Sequence, residues 1–165
     1  MADQTVPMSM VQGRIGIGTQ QYNIHDIMPG AYDYYWLTVL DSKTLKVVAN
    51  AVTEDNNVVP AAVKKYDGNR QYILVASSYS KLCANRPVGD LDTFLKNNGA
   101  GRKYKLAQQI AVQVGIANNL MFNYALVSIM GSKSDAIEEY AIGNVAWSLP
   151  LEFIFTDNVY LPVTV

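Results

Sequence analysis

The stretch YYWLTVLDSKTLKVVANAVTEDNNVVPAAVKKYDGNRQYILVASS, from Tyr34 to Ser78, changes its apolar period twice, and each change is punctuated. Tyr34 to Leu40 is aromatic and β-branched, free of Gly and Pro and apolar at nearly every position, which predicts a strand buried on both faces. Asp41-Ser42-Lys43-Thr44 supplies a turn whose Asp carboxylate accepts backbone N–H bonds. Leu45 to Val52 is the second expected strand. Val58, Val59, Ala62, Val63 and Tyr66 then recur at helical spacing, with Lys64 and Lys65 near the end where cations favour the helix dipole. Asp67-Gly68-Asn69 stops that helix, and Gln71 to Ser78 reads as another buried strand. A ββαβ unit of this kind belongs to an α+β domain.

Outward from this unit the signals are sparser. Asp90 is placed to cap a helix from Leu91 to Asn98, with Gly99 ending it where a left-handed residue is wanted. Gly101 to Asn119 carries Leu106, Ile110 and Val114 on one helical face, while Ile110 to Val114 also alternates; helix is the preferred reading. Phe122 to Met130 predicts a strand running into Gly131-Ser132-Lys133. Asp135 and Glu138 resemble a capping box and predict a short helix. Leu151, Phe153 and Phe155 alternate along a strand, Asp157-Asn158 turns, and Val159 to Val165 returns as a strand that Pro162 restricts to an edge.

Residues 1–30 read as an extended N-terminal arm preceding a single globular domain over 31–165. Ile15 and Ile17 alternate with Arg14, Gly16 and Gly18, as in an edge strand. Thr5 to Gly18 looks too poor in large apolar groups to fold against its own domain. The expectation is that removing residues 1–18 leaves a folded chain that no longer oligomerises through the arm and the C-terminal edge.

A chain of 165 residues with half of them apolar is long enough to bury roughly two-thirds of its unfolded surface. The charged fraction of 16% and eleven tyrosines favour a surface covered by partners or a tyrosine-rich sheet. Net charge is −1 with no basic run, which argues against a nucleic-acid groove. No apolar run approaches the roughly 18 residues needed to cross a bilayer, and MADQTVPMSM lacks the marks of a secretory signal. One histidine, His25, and one cysteine, Cys83, exclude an internal disulfide and metal sites built from several such residues. Asp90 and Asp92 are explained by helix capping, and Glu138 and Glu139 would point to different sides of a helix. The expectations are therefore no catalytic residue, no metal and no cofactor.

The order of these parts resembles the domain of the interleukin-like epithelial-mesenchymal-transition inducer and pancreatic-derived factor (ILEI/PANDER) family. The matching stretches are TVLDSKTLKVV, VVPAAVKKYDGNRQYILVAS, DLDTFLKNNGAG, YALVSIMGSK and AWSLPLEFIFTD, spanning roughly residues 32–160. The resemblance implies a β-sandwich-like sheet with packed helices. Val52-Thr53-Glu54 and Ser77-Ser78-Tyr79 stand where the family has Phe-Asp-Thr and an acidic pair, so the resemblance carries the fold rather than a ligand chemistry. Secreted animal members are disulfide-linked, whereas a lone Cys83 fits folding in a reducing cytoplasm.

Domains of this family occur in phage tail and fibre proteins, which implies a non-enzymatic structural or adhesion component of a virion or tail-like particle. Its partners would be itself and other particle proteins. The alternative is a lectin-like module binding a cell-surface glycan. A sugar site needs an aromatic face and convergent polar groups. The candidates are Tyr79, Lys81, Asn85 and Arg86 in the long loop, Ser132 and Lys133 in a turn expected at the same end of the sheet, and Trp147. Anchoring the last strand in the core is the preferred role for Trp147.

Overall fold

The strand that starts the deciding stretch is buried on both sides because it lies at the centre of three layers. The computed structural model describes residues 4–114 and 119–165. One antiparallel sheet holds β4 (Tyr34–Asp41), β5 (Val47–Thr53), β6 (Tyr72–Tyr79), β7 (Phe122–Ile129) and β8 (Ala136–Ile142) in the order β5-β4-β6-β7-β8. Trp36 and Leu40 of β4 point into a core shared with a second sheet, while Tyr35, Leu37 and Val39 point into a core shared with helices. Period-two alternation thus survives inside an all-apolar run, with each half of it buried by a different layer. The architecture is α+β and sandwich-like.

The turn after β4 forms as its residues dictate. Asp41 Oδ1 accepts from the backbone N–H groups of Lys43 at 2.8 Å and Thr44 at 3.0 Å. Leu45 adopts φ 57° inside that turn, so β5 begins at Val47 instead of at Leu45. The expected helix over Val58–Tyr66 is shorter too, with α2 covering Ala61–Lys64. Pro60, at φ −54° and ψ 134°, sits at its N-cap and disfavours the α region for Val59, so the first turn cannot start earlier. Val63 is fully buried nonetheless.

The second sheet overturns the free arm. It comprises β1 (Thr5–Val11), β2 (Arg14–Ile17), β3 (Gln20–Asn23), β9 (Ser148–Thr156) and β10 (Val159–Thr164), in the order β10-β9-β1-β2-β3. β1 is its middle strand, paired with β9 from Thr5↔Ile154 to Val11↔Ser148. Met8, Met10, Ile15 and Ile17 are all buried in the inter-sheet core. The expectation undervalued methionine, a large apolar side chain that fills a core as well as leucine. Gln12-Gly13 closes the β1–β2 hairpin with Gly13 at φ 69°, and a Cβ there would press on the Tyr79 ring at 3.0 Å.

β10 is an edge, as Pro162 requires, and partly a closed one. The Tyr160 N–H points away from β9 and donates to Ser42 O at 2.7 Å. Pro162, two residues on, has no N–H to offer on that side. Two of the outward N–H positions along this edge are therefore closed to a neighbouring strand.

α1 (Ile24–Ile27) is a single turn after β3 whose Ile24 is buried in the inter-sheet core. On the second face of the β5–β8 sheet, α3 (Gly89–Asn97) and α4 (Arg102–Val114) pack together with Val63 of α2. Gly99, at φ 114°, ends α3 where a Cβ would lie 2.6 Å from Ser128 Cβ. The preferred helix reading matches α4 over Arg102–Val114, and residues 115–118 of that segment lie outside the described residues. Its buried face is not Leu106, Ile110 and Val114 but Tyr104, Ala107 and Ala111. The two alanines let the helix approach the sheet closely.

The expected helix at Asp135–Glu138 is β8. Glu138 caps a helix all the same, but a distant one. Its carboxylate accepts from Gly101 N at 2.7 Å, Lys103 N at 3.2 Å and Tyr104 N at 3.3 Å at the start of α4, and from the Tyr124 hydroxyl at 2.8 Å. A carboxylate there satisfies the otherwise unpaired N–H groups and faces the positive end of the dipole.

Candidate functional site

Antiparallel pairing sorts the candidate residues between two ends. Tyr79, which ends β6, pairs with Tyr34 at the start of β4, and Thr53 at the end of β5 pairs with Tyr35. The Gln12-Gly13 turn and Asn23 reach the same end through Gly13, which abuts Tyr79. Tyr79, Lys81, Asn85, Arg86 and Trp147 all belong to this loop end. Ser132 and Lys133 do not. They follow β7, whose last residue Ile129 pairs with Ile73 near the start of β6. At about 3.4 Å per residue along an eight-residue strand, roughly 20 Å separates the two turns. The expected shared end is therefore corrected: a strand pair brings together one strand's end and its neighbour's beginning.

At the far end Ser132 is buried and donates to Asp135 Oδ2 at 2.8 Å, which locks its own turn, while Lys133 is exposed. At the loop end, Trp147 lies in the inter-sheet core and offers no exposed ring. Its indole N–H has no hydrogen-bond partner among the described residues. Tyr79 is half-buried, and the His25 ring meets it edge-on at 5.7 Å between centroids. Asn85 contributes its backbone, accepting from the Tyr35 hydroxyl at 2.6 Å.

Lys81 is the least expected of the set, because its side chain is fully buried. The ammonium donates to Glu54 O at 2.5 Å, lies 3.5 Å from Asp33 Oδ1 and sits 4.9 Å from the Tyr35 ring centroid. Burial pushes its pKa down, and the Asp33 carboxylate pulls it back up. One buried cation thus ties together the loop before β4, the loop after β5 and the loop after β6. A glycan hydroxyl could not reach it, so its work is to hold the loop end in shape.

Arg86 opens onto a groove of about 610 Å³ between α3 and α4. Tyr104 forms part of its lining, its hydroxyl donating to Asp92 Oδ1 at 2.8 Å and accepting from Gln108 Nε2 at 2.6 Å. Lys96 pairs with the same carboxylate at 2.8 Å. Among the described residues the Arg86 guanidinium makes no hydrogen bond, so the groove keeps an uncommitted cation. No sequence signal marked it, because α3 and α4 come together only through the sheet beneath them.

Tyr35, Tyr104 and Tyr124 share a pH consequence. Desolvation by burial is the first cause that raises the pKa of each, with carboxylates or other tyrosines adding to it. A raised folded pKa means that this stability is fully present below the unfolded tyrosine value of about 10 and is lost as pH rises through the folded values. Titration followed at 295 nm should show these three ionising only above the ordinary tyrosine range, together with loss of the circular dichroism signal. Simple titration of all eleven tyrosines with the fold intact would contradict it.

Among the described residues no helix is long and apolar enough to cross a membrane, and no cluster of three or more His, Cys, Asp and Glu could hold a metal ion. No family model matches the chain, and no curated protein matches it.

Proposed function

We propose that this chain is a non-catalytic structural or adhesion component of a bacteriophage virion or tail-like particle, an ILEI/PANDER-like domain that assembles with copies of itself and with neighbouring particle proteins. The carrying observation is the loop end. Among the described residues nine large apolar side chains are exposed, and four of them, Met28, Tyr32, Val58 and Val145, belong to loops at that one end. Tyr32 is 64% exposed and Val145 is 47% exposed. Scattered apolar residues need no explanation, but their concentration on loops braced by a buried lysine makes a preformed contact surface.

The order of strand, Asp turn, strand, short helix, strand, long loop, Gly-terminated helix, strand and Gly-x-Lys turn supports the family reading. The non-catalytic reading is supported by the placement of the two most reactive side chains: His25 meets Tyr79 at the surface, whereas Cys83 is buried in the helix-side core. Burial raises the pKa of the Cys83 thiol, which keeps it protonated and inert. A lectin-like site would have to do without the Trp147 ring and the Lys81 ammonium, and no specific observation favours it.

Light scattering over a range of concentrations tests the assignment. The wild-type chain should form species larger than a dimer, and Tyr32→Lys with Val145→Lys should stop that growth without altering the thermal transition. A chain that never exceeds a dimer, alone or with particle proteins, would overturn the particle reading.

A further inference from the structure

We propose that the outer face of the β10-β9-β1-β2-β3 sheet is a two-fold contact surface for a second copy of this chain. The inner row of that sheet is buried in the sandwich core, so the alternate residues form an outer row: Val11, Pro7 and Pro150 are exposed, Ile154 and Val163 are half-exposed, and Leu161 is half-exposed while also touching the inter-sheet core. Only Arg14 and Glu152 are charged among the outward positions of all five strands. A free surface ordinarily carries about 25–35% charged residues. The opposite side of the molecule does so, with seven charged residues on α2, α3 and α4 alone.

That asymmetry selects the occupant. Apposing two of these sheet faces buries the charge-poor side of each copy and leaves both helical layers in water, which no edge-on arrangement achieves. The face has one charge of each sign, on strands that flank β1, so it carries no net like-charge barrier against itself. Its apolar groups gather on the β9–β10 half and the more polar residues of β2 and β3 on the other, with β1 between them. Five strands about 4.8 Å apart and about 20 Å long give a flat face of nearly 500 Å². Side-chain relief brings this toward the roughly 800 Å² per partner of a standard interface. The pairing stands apart from the particle assignment, since it concerns a different surface and a closed dimer.

Ser9 provides the test, because it is exposed and faces outward from the middle strand. A residue near a two-fold axis meets its own copy. In the Tyr32→Lys, Val145→Lys background, where growth through the loop end is blocked, sedimentation equilibrium should give twice the chain mass. Ser9→Arg alone and Ser9→Glu alone should each weaken pairing about a hundredfold, like charges meeting across the axis, and an equimolar mixture of the two should recover a dimer. Ile154→Lys with Leu161→Lys, checked by circular dichroism for an intact fold, should also sediment as one chain. A monomer of the Tyr32→Lys, Val145→Lys chain at high micromolar concentration, a dimer that persists in the folded variants, or a mixture that fails to recombine would overturn the proposal.

Discussion

Removing residues 1–18 should abolish folding. The deletion takes out β1 and β2, so β9 loses its neighbour along the whole register from Thr5↔Ile154 to Val11↔Ser148, and β3 loses its only partner strand. It also strips Met8, Met10, Ile15 and Ile17 from the inter-sheet core, exposing Leu151 and Phe153 of the same sheet and Trp36 and Leu40 of the facing one. Four large buried side chains at about 1.5–3 kcal/mol each represent about 6–12 kcal/mol. That is as large as the whole stability of an ordinary domain, about 5–15 kcal/mol. The truncated chain should lack a cooperative thermal transition by circular dichroism and should aggregate. A soluble chain with a sharp transition would show instead that the β4–β8 sheet and its helices fold alone.

This outcome reverses what residues 1–30 imply when read by themselves, and the reason is the range of the interactions. β4, β6 and β7 were legible because their apolar runs are dense and their turns carry Asp41, Gly68 and Gly131. β1 has no such density, and its partner β9 lies some 140 residues away, so nothing local announces a middle strand. The same limit explains Glu138. A Ser/Thr/Asp with an acid three residues on is a local cue for a cap, and the acid does cap a helix, but the helix belongs to Gly101–Tyr104 across the fold.

At the candidate site the sequence supplied the right loop and the wrong company. Lys81 reads as a surface cation until the loops from Asp33 and Glu54 close over it. Ser132 and Lys133 sit in the turn that was expected, but antiparallel register sends that turn to the opposite end. The loop-end apolar residues, Met28, Tyr32, Val58 and Val145, are scattered through 118 positions and have no common motif. They become a surface only once both sheets are paired.

Asn98→Ala should cost about 3–5 kcal/mol, the range expected when a buried polar network is broken. Asn98 is completely buried just beyond α3. Its Oδ1 accepts from Gly68 N at 2.9 Å and Gly131 N at 3.1 Å, and its Nδ2 donates to Asp67 Oδ1 at 2.7 Å and Phe94 O at 2.8 Å. Its carbonyl accepts from the Ser128 hydroxyl. One amide therefore pins the turn after α2 and the turn after β7 to the end of α3; alanine takes the partner from the Gly68 and Gly131 N–H groups and from Asp67 Oδ1, while Phe94 O keeps the backbone N–H of residue 98. At about 2–4 °C per kcal/mol for a chain of this size, the melting temperature should fall by about 10 °C. Asn98→Asp separates hydrogen bonding from volume. It keeps the acceptor for the two glycine N–H groups but sets an oxygen against Asp67 Oδ1 and Phe94 O, so at neutral pH it should destabilise at least as much as alanine. Adding Asp67→Asn returns a donor to the first of those contacts and should recover part of the loss. Equal stability of Asn98→Asp and the wild type would mean that the amide fills space without bonding, and the junction of the two turns with α3 would need another explanation.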